Sequence, residues 1–245
     1  MKGIILAGGK GTRLLPLTKI TNKHLLPIYD RLMIFYPLDT LKKSGIKEIL
    51  IITDGKFLAD FKKLLGDGRK FGCKISFAVQ KKADGIAGAL KLAKKFSDGD
   101  SVAVILGDNI FESDFRKDVQ EFKKLRSDEI KAKIFVKKVS DPQRFGVAEI
   151  RGKKVLKINE KPKNPKSDLA VVGLYFYDKS VFDIIRKVQP SKRGELEITD
   201  VNNFYIKENL LNFRKIEGFW NDAGTFESLA EATRLIRKNS NKVKK

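Results

Sequence analysis

The chain has 245 residues, of which 42% are hydrophobic, so it is long enough for one large domain with a substantial core. No apolar segment approaches the roughly 20 residues of a membrane span, and the N-terminus lacks the pattern of a signal peptide, so we expect a soluble, cytoplasmic protein. The single cysteine, Cys73, excludes an intrachain disulfide and an all-cysteine metal site.

The formal net charge is +21, from 51 Lys and Arg residues against 30 Asp and Glu residues, and such a charge is compatible with nucleic-acid binding. However, lysine pairs such as Lys42-Lys43 and Lys94-Lys95 are spread along the chain at positions typical of solvated helix faces. Only residues 234–245 form a basic block without acids, which a frayed tail explains about as well as a binding arm does. We therefore expect no specific nucleic-acid partner and no membrane partner, and we assign residues 241–245 to a basic tail.

Short apolar runs rich in β-branched residues alternate with longer amphipathic stretches, which is typical of a mostly parallel sheet covered by helices on both faces. The predicted strands are residues 3–7, 48–53, 75–79, 101–106, 133–139, 146–150, 155–159 and 171–177. The predicted helices are residues 33–43, 56–65, 85–96, 114–125, 180–188, 197–208 and 226–238. The sequence therefore predicts an α/β fold with three α/β/α layers, which is Rossmann-like and has a mostly parallel mixed sheet.

The order of the predicted strands and helices changes near residue 140. Alternating βα units give way there to consecutive strands separated by Asp141-Pro142 and Lys161-Pro162. No repeat and no long linker divides the chain. We therefore predict a single domain over residues 1–240 with two lobes, about 1–135 and about 136–225.

A glycine-rich segment, residues 8–13 (GGKGTR), directly follows the first predicted strand. Glycine has no Cβ and tolerates positive φ, so backbone N–H groups can turn toward an anion, while Thr12 adds a hydroxyl donor and Arg13 a planar cation. The spacing matches neither a Walker A loop nor a dinucleotide fingerprint, because Leu14 stands where the latter needs a third glycine. A tight turn without a ligand is the alternative. The basic, proline-containing continuation over residues 13–27 favours phosphate binding.

Two aspartates are candidate metal ligands. Asp108 follows the predicted strand 101–106, and Mg²⁺ prefers one or two carboxylates together with substrate phosphates and water. Because ligands of open α/β sheets bind beyond the carboxyl ends of the strands, Asp108 and the glycine loop should face one crevice. An ordinary Asp-Asn turn is the alternative for Asp108. Asp222 precedes the predicted helix 226–238, which it could simply initiate.

Several short motifs follow one another along the chain. They are residues 8–14 (GGKGTRL), 23–27 (KHLLP), 107–109 (GDN), 144–147 (RFGV), 160–162 (EKP), 173–175 (GLY), 193–200 (RGELEITD) and 220–222 (WND). In this order the motifs resemble those of the sugar-nucleotide pyrophosphorylases, and within that family most closely those of the glucose-1-phosphate thymidylyltransferases. The resemblance covers residues 2 to about 237, and the ordered combination is far more specific than any single motif.

The resemblance implies metal-dependent nucleotidyl transfer, in which a sugar 1-phosphate attacks the α-phosphorus of a nucleoside triphosphate and pyrophosphate leaves. The implied catalytic roles are metal binding by Asp108 and Asp222, stabilisation of the leaving pyrophosphate by Arg13, contact with the triphosphate or the transferring phosphate by Lys23, and contact with the sugar phosphate by Lys161. Such a reaction depends on positioning and fixed positive charge. A sugar phosphate is already anionic, so the lone His24 need not act as a base, and its apolar neighbours favour a structural role.

The resemblance also assigns substrate-binding residues. Nucleotide binding falls to Leu6, Gly8, Gly9, Gly11, Thr12, Gln80 and Gly85, and sugar binding falls to Asn109, Gly146, Glu160, Val171 and Tyr175. Gln80 ends the predicted strand 75–79, and its amide can offer one donor and one acceptor to a pyrimidine, although a glutamine there is commonly only solvent-facing. Residues 1–135 would then form a nucleotide-binding lobe and residues 136–225 a sugar-phosphate-binding lobe.

Some positions depart from the thymidylyltransferase pattern. Arg31-Leu32 replaces a Lys-Pro pair, Phe145 replaces a tyrosine, and Gly88 stands where a glutamine is common. We expect these changes to affect nucleotide or sugar preference rather than reaction type. The sequence stops soon after the predicted helix 226–238, whereas longer relatives continue, and on this basis we expect feedback control by a second nucleotide site to be weak or absent.

The leading prediction is transfer of a nucleotidyl group from dTTP to glucose 1-phosphate, giving dTDP-glucose and pyrophosphate. A UTP-using or dual-specificity enzyme is the nearest alternative, because a thymine methyl in an apolar pocket discriminates by only about 1 to 3 kcal/mol. A non-catalytic nucleotide-sugar-binding subunit is a further alternative, which the joint presence of Arg13, Lys23, Asp108 and Asp222 disfavours. The oligomeric state is open, and a homo-oligomer is one option.

Overall fold

The structure is a computed structural model, and it describes residues 1–125 and 129–243. Its strands are β1 (Lys2–Ala7), β2 (Pro27–Ile28), β3 (Arg31–Leu32), β4 (Glu48–Thr53), β5 (Lys74–Val79), β6 (Val102–Leu106), β7 (Asn109–Phe111), β8 (Ala132–Lys138), β9 (Gly146–Arg151), β10 (Lys154–Glu160), β11 (Leu169–Tyr177), β12 (Leu211–Lys215) and β13 (Trp220–Asp222). Its helices are α1 (Phe35–Lys43), α2 (Leu58–Leu65), α3 (Ile86–Lys91), α4 (Lys94–Ser97), α5 (Arg116–Lys124), α6 (Val181–Ile185), α7 (Ile198–Lys207) and α8 (Phe226–Val243).

Within the described residues, nine strands form one mixed sheet, and two short ribbons pair β2 with β3 and β7 with β13. The main order is β10-β9-β11-β6-β1-β4-β5, with β8 pairing both β11 and β12. Strands β6, β1, β4 and β5 are parallel, whereas β11 runs antiparallel to β6, β8 and β9. Because the four parallel strands point the same way, the loops that follow them lie along one edge of the sheet.

Both faces of the sheet are covered, which explains the continuous apolar runs of its strands. Alternate residues of β1 divide between two buried clusters, since side chains along a strand point to opposite faces. Ile4 and Leu6 pack with residues of α3, α6 and α7. Ile5 and Ala7 pack with residues of α1, α2 and α5. The predicted three-layer, Rossmann-like α/β fold is confirmed.

Every predicted strand is present, with ends shifted by no more than a residue or two. The strands β2, β3, β7, β12 and β13 are not among the predicted elements, because they are short or only partly buried and carry no long apolar run. The predicted helix 85–96 is divided into α3 and α4. Leu92 and Ala93 donate to carbonyls three residues earlier, at 3.1 and 2.9 Å, so the chain tightens between the two helices.

The sheet is continuous across the predicted boundary between the lobes. Strand β6, from the first predicted lobe, pairs directly with β11, from the second. The division into a nucleotide-binding and a sugar-phosphate-binding lobe therefore stays a prediction about function within one sheet. At the C-terminus α8 extends to Val243, so part of the predicted tail 241–245 is helical, while residues 244 and 245 lie outside the described residues.

The final helix α8 packs at the edge of the molecule where the parallel strands end. Ala232 of α8 shares a small buried cluster with Ile28 of β2 and Ile110 of β7.

Over residues 1–125 and 129–243, no helix combines the length and apolar composition needed to cross a membrane.

Candidate active site

The carboxyl ends of β1, β5 and β6 open onto one crevice with a volume of ≈ 400 Å³. This is the position at which ligands of open α/β sheets bind. The glycine loop, Gln80 and Asp108 line one side, and residues of β9, β10, β11 and α7 line the other. The crevice therefore lies between the two predicted lobes.

Most of the predicted site residues line this crevice. They are Leu6, Gly8, Gly9, Arg13, Lys23, Gln80, Gly85, Asp108, Asn109, Gly146, Glu160, Lys161, Val171, Tyr175 and Asp222. Gly11 and Thr12 do not line it. Gly11 has a φ of 59°, accepts a hydrogen bond from Thr18 Oγ1 at 2.9 Å and precedes the 3-10 turn Thr12–Leu14, while the Thr12 side chain is exposed. These two residues shape the loop, and their predicted contact with nucleotide stays a prediction.

Asp108 is buried and tightly paired. Lys23 Nζ lies 2.5 Å from Asp108 Oδ2, and the side-chain amide of Asn109 donates to Asp108 Oδ1 at 2.9 Å. Burial alone would raise the pKa of Asp108, but the Lys23 ammonium and the Asn109 amide outweigh burial and hold this pKa well below its usual range. Asp108 is therefore a carboxylate at neutral pH.

The Asn109 side chain connects three parts of the fold. Its carbonyl oxygen accepts from Trp220 Nε1 at 2.7 Å and from the backbone N–H of Gly173 at 3.1 Å, where β11 bulges away from β8. Both lone pairs of the carbonyl are thus in use, and one amide hydrogen points at Asp108. Asn109 therefore orients Asp108, and only one amide hydrogen remains for the predicted contact with a sugar hydroxyl.

The short ribbon of β7 and β13 brings Asp222 beside Asp108. Asp222 lies opposite Asn109 in the ribbon, and the N–H of Ala223 donates to the Asp108 carbonyl at 2.9 Å. Burial and the neighbouring Asp108 carboxylate raise the pKa of Asp222 to about 6, although Arg144 opposes this shift. A raised pKa beside a lowered one is the usual consequence of two acids that share a site. The two predicted metal ligands therefore meet in the crevice.

The arrangement of these two acids fits a divalent cation. In the described part of the chain, no cluster of three or more His, Cys, Asp or Glu side chains is placed to hold a metal. Two carboxylates are nevertheless sufficient for a site whose remaining ligands are substrate phosphates and water. The raised pKa of Asp222 marks an excess of negative charge that a bound cation would relieve.

Arg13 lies beside the turn that follows Asp222, and its charge lowers the pKa of Asp222. A Cβ atom added to Gly224 would lie 2.9 Å from Arg13 Nη2 and 3.5 Å from Asp108 Oδ2. The absence of a side chain at residue 224 therefore makes room for the guanidinium. Gly224 is not among the predicted site residues, and its place two residues after Asp222 is the only signal in the sequence that could have identified it.

Arg144 is also missing from the predicted site residues, although it lines the crevice. Its Nη2 donates to Asp222 Oδ1 at 3.2 Å, and its Nη1 donates to Asp141 Oδ2 at 2.7 Å. The guanidinium also lies 5.1 Å from the ring centroid of Phe145, which packs edge-on against Trp220. Its position directly before Phe145 in the RFGV motif is the sequence signal for it.

His24 is buried in the wall of the crevice, between Lys23 and the β1 end. Its Nδ1 lies 2.7 Å from Asn22 Oδ1, and a Cβ atom added to Gly107 would lie 2.6 Å from its ring. Burial and the Lys23 ammonium lower the pKa of His24 to about 3, so the ring is neutral at pH 7. Its packing and hydrogen bond give it a structural place, in agreement with its apolar neighbours in the sequence.

On the opposite side of the crevice, Glu160 Oε2 accepts from Thr199 Oγ1 at 2.6 Å. Arg193 Nη2 lies 2.9 Å from Glu197 Oε1, 3.6 Å from Glu160 Oε1 and 3.7 Å from Glu195 Oε2, so one guanidinium lies beside three acids. Thr199, Arg193 and Glu197 are not among the predicted site residues, although the RGELEITD motif contains all three.

Lys161 has a left-handed backbone, with a φ of 42°, and its N–H donates to the Phe145 carbonyl at 3.0 Å. A non-glycine residue pays conformational energy in this region, and such strain is concentrated at functional sites. The Lys161 side chain is half-exposed at the crevice, with its Nζ 3.7 Å from Glu160 Oε1. This position is compatible with the predicted contact to a substrate phosphate.

The chain is similar to known proteins over nearly its full length. The family model described as nucleotidyl transferase matches residues 2–239. A glucose-1-phosphate thymidylyltransferase of Neisseria meningitidis serogroup A is 46% identical over 240 residues, which are 97% of this chain and 83% of that relative. A glucose-1-phosphate thymidylyltransferase of Mycolicibacterium smegmatis is 43% identical over 241 residues, which are 97% of this chain and 82% of that relative.

Solved structures agree with these sequence relationships. A crystal structure of a Bacillus anthracis protein described as a glucose-1-phosphate thymidylyltransferase, in complex with sucrose, has a TM-score of 0.92 and 49% sequence identity, and the match covers 97% of this chain and 95% of that one. A UDP-glucose pyrophosphorylase in complex with UDP-glucose has a TM-score of 0.84 at 25% identity, with 97% and 98% of the two chains covered. The chain therefore belongs to the nucleotidyl transferase family and is a nucleotidyltransferase.

Proposed function

We propose that this enzyme transfers a thymidylyl group from dTTP to glucose 1-phosphate, giving dTDP-glucose and pyrophosphate, with Mg²⁺ held between Asp108 and Asp222. The observation that carries the proposal is the meeting of these two acids in the crevice, beside Arg13 and Lys23. The relatives that are 43% to 46% identical carry the name of this activity, whereas the UDP-glucose pyrophosphorylase is only 25% identical.

The reaction joins two polyanions, so the principal task of the protein is to align them and to balance their charge. When bound between Asp108 and Asp222, Mg²⁺ would supply positive charge that stabilises the reacting phosphates. Arg13, at the glycine loop, would stabilise the negative charge that develops on the departing pyrophosphate. Lys23 would neutralise the triphosphate, and its pairing with Asp108, which also lines the crevice, holds its ammonium there.

The other side of the crevice would bind the sugar phosphate. Lys161 would contact the phosphate, because its strained backbone directs it from the end of β10 toward the crevice. Glu160, held by Thr199, and the backbone of Gly146 and Val171 would contact sugar hydroxyls, with buried Tyr175 completing the wall. His24, neutral and buried, would take no part in proton transfer.

The decisive experiment measures pyrophosphate release by the purified protein with Mg²⁺ and glucose 1-phosphate, supplying dTTP, UTP, CTP, ATP or GTP in turn. We expect dTTP to be used best and UTP to be the nearest competitor, because the two bases differ by one methyl group. Equal use of dTTP and UTP would establish the dual-specificity alternative, and comparable release from all five would reject selection of a pyrimidine.

Matched variants separate catalysis from binding. Asp222→Asn should still bind nucleotide but release pyrophosphate slower by orders of magnitude, whereas Asp98→Asn, on an exposed turn, should behave as the wild type. Binding of dTTP without turnover by the wild-type protein, with Mg²⁺ and glucose 1-phosphate present, would instead support the non-catalytic alternative.

We further propose a cytoplasmic location, in keeping with the single, free cysteine, Cys73.

A further inference from the structure

We propose that Asp84 determines which bases the site accepts, by fixing the amide of Gln80 so that only its carbonyl oxygen is offered to the base. This inference rests on the proposed function, since it concerns the nucleotide half of the same crevice. It adds a positioning residue for base selection and gives a structural meaning to Gly88, one of the departures from the thymidylyltransferase pattern.

The orientation of the Gln80 amide follows from its partners. Gln80 Nε2 donates to Asp84 Oδ1 at 2.8 Å and lies 3.4 Å from the carbonyl oxygen of Gly85. Both partners are acceptors only, because an ionised carboxylate and a backbone carbonyl have no hydrogen to donate. Rotating the amide by half a turn would place its oxygen against these two acceptors, so the amide nitrogen is held on the side of Asp84.

The opposite end of the amide faces the glycine loop. A Cβ atom added to Gly8 would lie 2.9 Å from Gln80 Oε1, and Gly8, Gln80 and Gly85 all line the crevice. Since both N–H groups of Gln80 are engaged, the free function at this position is the carbonyl oxygen. Gln80 therefore presents an acceptor alone, rather than the donor and acceptor that the sequence predicts.

A lone acceptor selects among pyrimidines by the hydrogen at N3. Thymine and uracil carry an N3–H that can donate to Gln80 Oε1, whereas N3 of cytosine is itself an acceptor. A cytosine placed in the same position would leave two acceptors facing each other, which is unfavourable because neither acceptor gains a hydrogen bond. The 5-methyl group has no part in this contact, so Asp84 separates dTTP and UTP from the cytosine nucleotides but not from each other.

Gly88 makes this arrangement sterically possible. A Cβ atom on Gly88 would overlap with the Asp84 carboxylate, and the three atoms nearest to it all belong to Asp84. The turn that carries Asp84 is held by the Leu196 N–H, which donates to the Asp84 carbonyl at 2.7 Å. With that backbone fixed, any side chain at residue 88 must displace the carboxylate from Gln80. The glycine therefore permits the contact between Asp84 and Gln80.

The test compares base selectivity in Asp84→Asn and Gly88→Ala with the wild type. The amide in Asp84→Asn can donate as well as accept, so Gln80 is free to turn. The methyl group in Gly88→Ala displaces the Asp84 carboxylate. Residue 88 lies within α3, where alanine is compatible with the helix. Dissociation constants of dTTP, UTP and dCTP are measured by calorimetry without glucose 1-phosphate, and kcat/KM is measured with it. Asp98→Asn is the control.

We expect both variants to lower the dTTP to dCTP selectivity roughly 10-fold or more while leaving the dTTP to UTP ratio and the unfolding temperature nearly unchanged. If the wild type binds dTTP more tightly than dCTP and both variants keep the same selectivity, this inference is overturned while the proposed function stands. Absence of nucleotide binding by the wild type overturns the proposed function and this inference together.

Discussion

Arg144 Nη2 donates to Asp222 Oδ1 over 3.2 Å, while Nη1 of the same guanidinium is held by Asp141 at 2.7 Å. This contact ties the turn Pro142–Arg144, on the side of the crevice that we assign to the sugar phosphate, to the acid that we assign to the metal. Arg144 neutralises Asp222 only in part, because burial and Asp108 still keep the pKa of Asp222 at about 6. The pKa of Asp222 is therefore close to neutrality.

Metal affinity should follow the ionisation of Asp222. A carboxyl must lose its proton to hold a cation, so the affinity for Mg²⁺ or Mn²⁺ should fall as the pH is lowered through about 6 and level off above it. Replacing Arg144 by Met removes a cation that lowers the pKa of Asp222, which should move the midpoint of this dependence to higher pH. Calorimetric titration with Mn²⁺ between pH 5 and 8 measures both effects. An affinity that stays constant over this range would exclude Asp222 as the titrating ligand.

Asp222→Asn should stabilise the metal-free protein while abolishing most of its turnover. The folded pKa of about 6 is above the ordinary value of 3.8, so the folded state binds more protons than the unfolded state between these pH values. Stability is therefore lost as the pH rises through this window, and the full loss is present at pH 7. Removing the charge should recover on the order of 1 to 3 kcal/mol there.

The measurement for this variant is urea unfolding in the presence of EDTA at pH 7 and at pH 4.5. The gain should shrink at the lower pH, where the wild-type carboxyl is already protonated in the folded state. Asp98 is exposed and lies outside the crevice, so Asp98→Asn should change the free energy of unfolding at neither pH. A gain of equal size at both pH values would show that the effect does not come from the charge of Asp222.

Much of this site is predictable from the sequence, for physical reasons. A strand buried on both faces must be a continuous apolar run, so β1 and β6 are easily recognised, and the edge rule for parallel strands places the glycine loop beside Asp108. Gln80 is found in the same way at the end of β5. These predictions need only local sequence and the common direction of the strands.

The remaining features depend on contacts that local sequence does not encode. Asp222 reaches Asp108 through β7 and β13, two three-residue strands too short to show any periodicity. Without the family resemblance, Asp222 would be only a candidate helix cap. Arg144 is one basic residue in a chain with 51 Lys and Arg residues, and the acceptor role of Gln80 depends on a turn that places Asp84 beside it.

Gly224→Ala should impair catalysis without unfolding the protein. The added Cβ would lie 2.9 Å from Arg13 Nη2, so the guanidinium must move, and small displacements of a positioned group cost about 10- to 100-fold in rate. The backbone at residue 224 is open to alanine, since its φ is not in the left-handed region. Steady-state kinetics with dTTP and glucose 1-phosphate measure the loss in kcat.

Gly55→Ala is the matched control for this variant, because its added Cβ would make only an ordinary contact, 3.4 Å from Val79 Cγ1. Both variants should unfold at nearly the wild-type temperature. Wild-type kcat in Gly224→Ala would mean that the position of Arg13 does not limit the reaction.

Asp118 anchors a buried charge cluster whose removal should destabilise the fold. Its Oδ1 lies 2.8 Å from Lys133 Nζ and its Oδ2 lies 2.6 Å from Arg214 Nη1, so the carboxylate joins α5 to β8 and β12. Asp118→Ala removes the shared partner of Lys133 and Arg214. Because Lys133 keeps Glu121 at 3.5 Å and Arg214 is one-third exposed, the loss should be about 3 kcal/mol, at the low end for a broken buried pair. Asp183→Ala, which removes exposed pairs to Arg186 and Lys94, should cost only about 0 to 1 kcal/mol. Urea unfolding at pH 7 compares the two variants, and equal losses would show that Asp118 contributes no more than a surface ion pair. Asp118 does not line the crevice. The Asp118→Ala protein should therefore retain the wild-type kcat at temperatures at which this variant remains folded.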